Sequence, residues 1–264
     1  MALVDSAPVT FQIFVFALGC CLGSFYNVVI HRLPRNESLV SPGSRCPGCG
    51  NPIAFYDNIP IVSFLLLGAK CRGCGTSISI RYPLVEAAAG VFALLLFRRY
   101  GPHPQFGVEF VFLSLLLIIA MIDLDTFLIP DVLSLPGIVL GFAFSLFTPR
   151  LSWTESLLGI FLGGGLLYLV ATGYALVRKK EGMGGGDIKL LGMIGAFVGW
   201  QGVVFTVFAA SVSGMIIALP LMWRRGKGLG SEIPFGPFLA FGAALYIFCG
   251  RVVVHWYFTE LLGG

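Results

Sequence analysis

Long apolar segments separated by short polar stretches dominate this chain and restrict the folds that it can adopt. A helix of about 20 apolar residues can cross a lipid bilayer. Eight segments approach this length: residues 9–30, 83–97, 106–122, 132–147, 156–177, 190–200, 203–223 and 235–258. We therefore predict an all-α polytopic membrane protein with about eight transmembrane helices, of which the second and the sixth are short.

The composition excludes several other classes of protein. Charged residues make up 11% of the chain and hydrophobic residues 57%, whereas soluble domains carry about 25% charged residues. An ordinary soluble enzyme and a disordered chain are both excluded. The net charge of +4 comes without a cluster of polar residues suited to contact bases, so no nucleic-acid partner is expected. We expect the first segment to be an uncleaved helix, because no basic stretch precedes it.

The basic residues predict the orientation, because loops rich in Lys and Arg remain in the cytoplasm. With eight spans and the N-terminus outside, 13 of the 17 Lys and Arg residues lie on the inner side. Only Arg98, Arg99, Arg150 and Arg251 lie outside. We divide the chain into a first transmembrane helix (residues 1–30), a small cytoplasmic domain (31–82) between helices 1 and 2, and a transmembrane domain (83–264).

Two Cys-x-x-Cys pairs in the cytoplasmic segment predict a metal site. Cys46 and Cys49 are separated by 21 residues from Cys71 and Cys74. Four thiolates bind Zn²⁺ tetrahedrally, and the reducing cytoplasm disfavours disulfides. Because four sulfur ligands leave no position open for water, we predict a structural zinc ion that holds the loop together. A redox-active cysteine pair is the alternative.

Aspartates at the predicted helix ends form a candidate catalytic site. Asp123, Asp125 and Asp131 lie between the third and fourth segments, and Asp187 follows three glycines at 184–186. A carboxylate at the membrane boundary is costly and therefore indicates function. Two such groups brought close together can act as base and acid, which is sufficient to hydrolyse a peptide bond. Solvated loop residues are the alternative interpretation.

The glycine run before Asp187 suits a close approach of another backbone. An unwound segment without Cβ atoms would let an extended peptide substrate reach the site. A flexible loop is the alternative. The run does not fit a dinucleotide-binding fingerprint, because no G-x-G-x-x-G follows a strand here.

Motifs along most of the chain resemble, in order and spacing, those of the type IV prepilin peptidases, the leader peptidase/N-methyltransferases of pilus and secretion systems. They occupy residues 23–34, 46–49, 57–61, 71–86, 123–131, 182–190 and 234–240. The resemblance implies an intramembrane aspartyl protease of the G-x-G-D type, with the catalytic pair at Asp123 and Asp187. Asp125 competes for the first position, but on a continuing helix it would face roughly the opposite way. Asp131 could instead cap the next helix.

The resemblance also implies substrates, cofactors and a location. Prepilins or pseudopilins would be cleaved between a basic leader and an apolar helix, by an active site that faces the cytoplasm from the bacterial inner membrane. The new N-terminus would then be methylated from S-adenosylmethionine. Candidate donor-binding residues are Asn27, Arg32, Arg81 and Glu86, for which Arg–Glu pairing that holds the loop is the alternative. Membrane lipids would contact the basic cluster at residues 178–180.

Two other classes of protein share some of these features. A proton-coupled membrane transporter would also hold aspartates beside glycine-broken helices. It does not require a cysteine cluster, and the sequence shows no inverted repeat. A zinc-bearing membrane scaffold of a secretion system would require the cysteines but not the aspartates. Replacement of Asp187 by Asn separates these classes from a protease.

Overall fold

The computed structural model describes residues 8–178, 184–225, 234–257 and 260. Within these ranges the regular secondary structure is helical, and two isolated β-bridges lie in the loop between the first and third helices. The predicted all-α class is confirmed. Of the segments named above, residues 179 and 180 of the basic cluster, residues 182 and 183 of the motif at 182–190, and residue 258 of the last apolar segment lie outside the described ranges. The helices are α1 (Val9–Arg32), α2 (Val62–Leu66), α3 (Arg81–Tyr100), α4 (Pro104–Thr126), α5 (Asp131–Phe147), α6 (Trp153–Arg178), α7 (Gly185–Arg225), α8 (Gly236–Leu245) and α9 (Arg251–Trp256).

Five apolar stretches in the described part of the chain are long enough to cross a membrane. They are Val9–Arg35, Pro104–Thr126, Trp153–Val177, Gly185–Ile217 and Gly236–Val254. Helix α5 is apolar but shorter, and α3 contains Arg81, Glu86, Arg98 and Arg99. The chain is thus a multi-pass membrane protein, and the count of eight spans stays a prediction.

Helix α7 contains both the sixth and the seventh predicted segments. It extends over Gly185–Arg225 and is broken at Gly199, next to the predicted boundary between residues 190–200 and 203–223. Gly199 has φ 71° and ψ −179°, a conformation that glycine adopts without a Cβ clash. The helix begins five residues before its predicted start. Gly185 and Gly186 therefore form its first turn, so the expectation of an unwound segment is wrong for these two residues, whereas Gly184 lies outside the helix.

The chain divides into two compact units, residues 1–118 and 119–264. In the first unit, α1 and α3 approach closely through small residues. A Cβ on Gly23 would lie 2.7 Å from the Cα of Glu86, and one on Gly19 would lie 2.8 Å from the Cβ of Ala93. Such contacts stabilise helix pairs in lipid. The predicted domain boundaries at residues 30 and 82 remain a prediction.

In the second unit, glycines bring α6 and α7 into backbone contact. A Cβ on Gly159 would overlap the backbone of Gly195, and the reverse is also true. A Cβ on Gly163 would overlap the carbonyl of Leu191 in the same way. The hydroxyl of Ser156 donates to the carbonyl oxygen of Ala196 at 2.8 Å. These contacts fix the register of α7, the helix that carries Asp187.

Candidate active site and cysteine cluster

Asp123 lies in the last turn of α4, which continues past its predicted end at residue 122. Its residue surface is 5% exposed, and Oδ2 accepts the backbone N–H of Gly236 at 3.0 Å. The helix ends at Thr126, because Phe127 has a positive φ of 54°. The N–H of Phe127 donates to the carbonyl oxygen of Asp123 at 2.9 Å. The carboxylate is thus held inside the protein at a helix end, and not in a solvated loop.

Asp187 is the third residue of α7. Its Oδ1 is buried and has no hydrogen-bond partner among the described residues. The carboxyl group lies within the range of charge repulsion from Asp123. A buried carboxylate oxygen without a donor is costly unless a proton, water or substrate bonds to it. The structure therefore brings the two aspartates together from α4 and α7, within the second unit.

The side chain of Ile129 packs between the two glycine segments that border these aspartates. A Cβ on Gly186 would lie 2.8 Å from the Cβ of Ile129. A Cβ on Gly236 would lie 3.3 Å from the Cδ1 of Ile129 and 2.5 Å from Oδ2 of Asp123. Any larger residue at Gly186 or Gly236 would therefore displace Ile129 or the carboxylate.

The other two aspartates have different surroundings. Helix α4 continues through Asp125, which is exposed whereas Asp123 is buried. The opposite orientation of Asp125 stays a prediction. The expectation that Asp131 caps α5 is wrong. Pro130 occupies the cap position, and no side-chain cap hydrogen bond forms. Instead Nζ of Lys189 donates to both carboxylate oxygens of Asp131 at 2.7 Å, because Lys189 reaches across from the first turns of α7.

Sequence reasoning missed the roles of Gly236 and Lys189. Gly236 belongs to the segment 234–240 that contributed to the family resemblance, but no function was assigned to it. The one feature of the sequence that could have indicated its role is its position between two prolines, Pro234 and Pro237. Lys189 was counted only as an inner basic residue, and nothing in the sequence indicates its pairing with Asp131.

The four cysteines of the first unit meet in one cluster. The sulfurs of Cys46, Cys49, Cys71 and Cys74 all lie within 4.8 Å of one another. Those of Cys46 and Cys74 are 3.7 Å apart. Tetrahedral ligands at 2.3 Å from Zn²⁺ would be about 3.8 Å apart. The cluster therefore has the dimensions required to hold one tetrahedral metal ion.

Both cysteine loops of the cluster fold in the same way. Each closes with two backbone hydrogen bonds and contains one glycine with a positive φ, at Gly50 (70°) and Gly75 (71°). This conformation favours glycine and allows the tight turn that brings the two cysteines of each loop together. The hydrogen bonds are Cys46 N–H to Asn51 O and Gly50 N–H to Cys46 O in the first loop, and Cys71 N–H to Thr76 O and Gly75 N–H to Cys71 O in the second.

Neighbouring polar groups lower the pKa of one thiol of the cluster. Hydrogen bonds to the side chain and backbone of Thr76 lower the pKa of the Cys74 thiol to about 6. The thiolate is the form that binds metal. Next to Cys71, the guanidinium of Arg72 forms an ion pair with Asp57 at 2.7 Å. The Arg72 hydrogen bonds hold the pKa of Asp57 below its usual range and tie the second loop to the turn Phe55–Asn58.

Two of the candidate donor-binding residues are buried in the first unit and have protein partners. The Nδ2 of Asn27 donates to the carbonyl oxygen of Tyr82 at 3.2 Å. Oε2 of Glu86 accepts the N–H of Ile61 at 2.8 Å. Asn27 therefore connects α1 to the first turn of α3, whereas Glu86 connects α3 to the polar loop.

The other two candidates are arginines at helix ends. Arg81 is the first residue of α3. Arg32, the last residue of α1, donates to the carbonyl oxygens of Ser38 (2.9 Å) and Gly43 (3.3 Å), and it borders a cavity. The cavity is lined by Arg32 but not by Asn27, Arg81 or Glu86.

Comparison with known proteins decides the family. Residues 17–100 match the bacterial peptidase A24 N-terminal domain, and residues 110–219 match the type IV leader peptidase family. The chain is 36% identical to the prepilin leader peptidase/N-methyltransferase of Pseudomonas aeruginosa, over 97% of this chain and 98% of that relative. This chain belongs to the type IV leader peptidase family.

Other members of the leader peptidase family show similar agreement. Relatives with the same name in Stutzerimonas stutzeri and Burkholderia pseudomallei are 37% and 33% identical. The alignments cover 89% and 100% of this chain and 89% and 92% of those relatives. No solved structure matches the chain. The chain is thus an enzyme of a peptidase family. Asp123 and Asp187 both lie in the leader peptidase match, whereas the four cysteines lie in the N-terminal match.

Proposed function

We propose that this enzyme cleaves the basic leader from type IV prepilins or pseudopilins, with Asp123 and Asp187 as the catalytic pair. The observation that carries the proposal is the meeting of these two carboxyl groups at the ends of α4 and α7. The substrate class is supported by relatives named prepilin leader peptidases that align over almost the whole chain.

The two carboxyl groups together provide a base and an acid. Two negative charges this close are unfavourable, so the pair holds one proton between them. The ionised group takes a proton from a water molecule, whose oxygen attacks the scissile carbonyl carbon. The protonated group first bonds to the carbonyl oxygen and then donates its proton to the leaving amine. Water is thus added across the peptide C–N bond.

The glycines before Asp187 leave room for the substrate backbone. Gly184 and Gly185 are exposed, and a Cβ built on Gly185 would meet nothing within 4 Å. The unpartnered Oδ1 of Asp187 lies two residues further along the chain. An extended peptide can therefore approach this helix start and bond to the carboxyl group.

We place the active site at the cytoplasmic face of the bacterial inner membrane. Both aspartates lie at helix ends, in the last turn of α4 and the first turn of α7. Lys189 and Arg32 lie on the side that the distribution of basic residues assigns to the cytoplasm. A prepilin has a basic leader in the cytoplasm and an apolar helix in the membrane. The junction between them would therefore lie at the same membrane face as the two aspartates.

We assign the cysteine cluster to a structural Zn²⁺ ion. The sulfur separations fit tetrahedral coordination by Cys46, Cys49, Cys71 and Cys74. A closed site with four sulfur ligands contributes folding free energy and leaves no position for a reacting water. The stretch between α1 and α3 contains only short helical turns, so this ion would stabilise it.

The first unit is the candidate for the N-methyltransferase activity named in the relatives. It matches the N-terminal domain family and contains none of the proposed protease residues. Bound S-adenosylmethionine supplies a methyl group on a sulfonium sulfur. The new N-terminal amine must lose its proton, form an N–C bond to that methyl group and displace the sulfur as a neutral thioether. Residues of the first unit would hold the donor in place for this transfer.

One experiment tests both activities. Detergent-purified enzyme is incubated with a prepilin peptide and S-adenosylmethionine, and mass spectrometry separates the cleaved product from the cleaved and methylated product. Wild type should give both, whereas Asp187→Asn should give neither and should keep the wild-type melting temperature and zinc content. Cleavage by Asp187→Asn at the wild-type rate would contradict the catalytic pair, and a wild-type enzyme that does not cleave prepilin would favour the scaffold alternative.

A further inference from the structure

A cavity of about 420 Å³ lies in the first unit beside the cytoplasmic end of α1. Its volume falls within the range of small-molecule sites. The walls combine apolar and polar groups from α1, from the loop that follows it, and from the segment before α2. The lining residues are Cys21, Ser24, Phe25, Val28 and Arg32 on α1, then Leu39, Val40, Pro42, Gly43 and Ser44, and finally Asn58 and Pro60.

Arg32 joins α1 to the loop of residues 38–43, which forms one wall of the cavity, through two hydrogen bonds. Its two terminal nitrogens donate to the carbonyl oxygens of Ser38 and Gly43, at the two ends of the stretch that contains Val40. A guanidinium has five N–H donors in a planar fork. These two bonds hold the guanidinium at the cavity and leave further N–H donors for a ligand.

Glu86 holds the segment before α2, which forms another wall of the cavity. Its Oε2 accepts the N–H of Ile61, the residue after Pro60, and its carboxylate also bonds to Ser24 on α1. Ile61 has a φ of 62°, which is costly for a β-branched residue and persists only where surrounding contacts enforce it. Glu86 therefore acts as a positioning residue behind Ser24 and Pro60, and it does not line the cavity.

We propose that this cavity is the binding site for S-adenosylmethionine, an inference that rests on the methylation half of the proposed function. The chemistry of the walls matches the three parts of that molecule. Arg32 is the only charged residue that lines the cavity, and it can bind the donor carboxylate. Phe25, Val28 and Val40 offer apolar surface to the adenine ring. Ser24 and Asn58 offer hydrogen bonds to the ribose and the amino group.

Two variants test the site by different routes. Arg32→Gln removes the carboxylate partner. Val40→Trp adds a large side chain to the cavity wall. Because Val40 is 89% exposed, this change should leave the hydrogen bonds of Arg32 and Glu86 intact. The matched control is Leu65→Trp on α2, which is 70% exposed and does not line the cavity. Equilibrium dialysis of the full-length enzyme with labelled S-adenosylhomocysteine, the unreactive demethylated donor, measures binding without turnover.

We expect Arg32→Gln to weaken binding by about tenfold or more, as for the loss of a charge-assisted hydrogen bond. Val40→Trp should weaken binding by a similar factor, because its indole ring occupies space that the ligand needs. Leu65→Trp should bind as wild type does. Photo-crosslinking of the bound ligand should label peptides from residues 21–44. Wild-type affinity in both cavity variants, or labelling confined to other peptides, would overturn the site while leaving the methyltransferase proposal intact. Wild-type enzyme that cleaves prepilin but binds no donor would overturn both the site and the methylation proposal.

Discussion

The backbone N–H of Gly236 donates to Oδ2 of Asp123 at 3.0 Å, across 113 positions of the chain. The bond requires glycine, because a Cβ at this position would lie 2.5 Å from the same oxygen. Gly236 is therefore a positioning residue that orients one carboxyl group of the pair from the start of α8.

Gly236→Ala should reduce the kcat of prepilin cleavage by about 10- to 100-fold, because displacement of a catalytic group by about 1 Å costs this much. The KM should change little, since the variant moves the carboxyl group and not the surface that the substrate meets. Steady-state cleavage of a prepilin peptide measures both constants.

Gly165→Ala on α6 is the matched control, because a Cβ there would meet nothing within 4 Å. It should cleave at the wild-type rate. An equal loss of kcat in the two variants would show that general helix effects, and not the contact with Asp123, explain the result.

The ion pair between Asp131 and Lys189 links the first residue of α5 to the start of α7, close to Asp187. Both side chains are partly exposed, at 56% and 38%, and such pairs contribute about 0.2–1 kcal/mol. Lys189→Met should therefore lower the melting temperature only slightly while reducing cleavage. The double variant Asp131→Lys with Lys189→Asp should recover part of the activity in the same assay. A double variant no more active than Lys189→Met would contradict a positioning role for the pair.

Zinc removal should unfold the polar loop between α1 and α3 but leave the protease activity unchanged. We expect one zinc ion per chain, measured by elemental analysis, and its loss in Cys46→Ser. Limited proteolysis should then cut the loop between α1 and α3. Prepilin cleavage should persist, because Asp123, Asp187 and Gly236 all lie in the second unit.

Cys249→Ser serves as the control for zinc loss, because Cys249 is exposed and lies outside the cluster. It should keep both the zinc ion and the resistance to proteolysis. Full zinc content in Cys46→Ser would show that the cluster is not the metal site.

Hydropathy and cysteine spacing were sufficient to predict the helical membrane class and the four-sulfur cluster. Both depend on local patterns: apolar length sets a span, and paired Cys-x-x-Cys loops bring sulfurs together through their own backbone hydrogen bonds. Helix ends were less predictable. Hydropathy falls at Asp123, but the backbone of α4 continues to Thr126, because a buried carboxylate with a hydrogen-bond donor does not interrupt a helix.

The contacts that orient the candidate site could not be predicted, because they join residues distant in sequence. Asp131 has the residue type and position of a helix cap, yet the nearby charge of Lys189 provides a stronger partner. Gly186 and Gly236 are required by the volume of Ile129, a residue that no motif singles out. By contrast, the break at Gly199 lies beside the predicted boundary between residues 190–200 and 203–223.

The catalytic pair itself is tested most directly by three single substitutions assayed for prepilin cleavage by mass spectrometry: Asp123→Asn, Asp187→Asn and Asp125→Asn. Each replaces a carboxylate by an amide of nearly the same shape. We predict that the first two abolish cleavage while the enzyme stays folded and keeps its zinc, and that Asp125→Asn retains activity because Asp125 is exposed, unlike the buried Asp123. Loss of cleavage in Asp125→Asn together with full activity in Asp123→Asn would contradict the assignment.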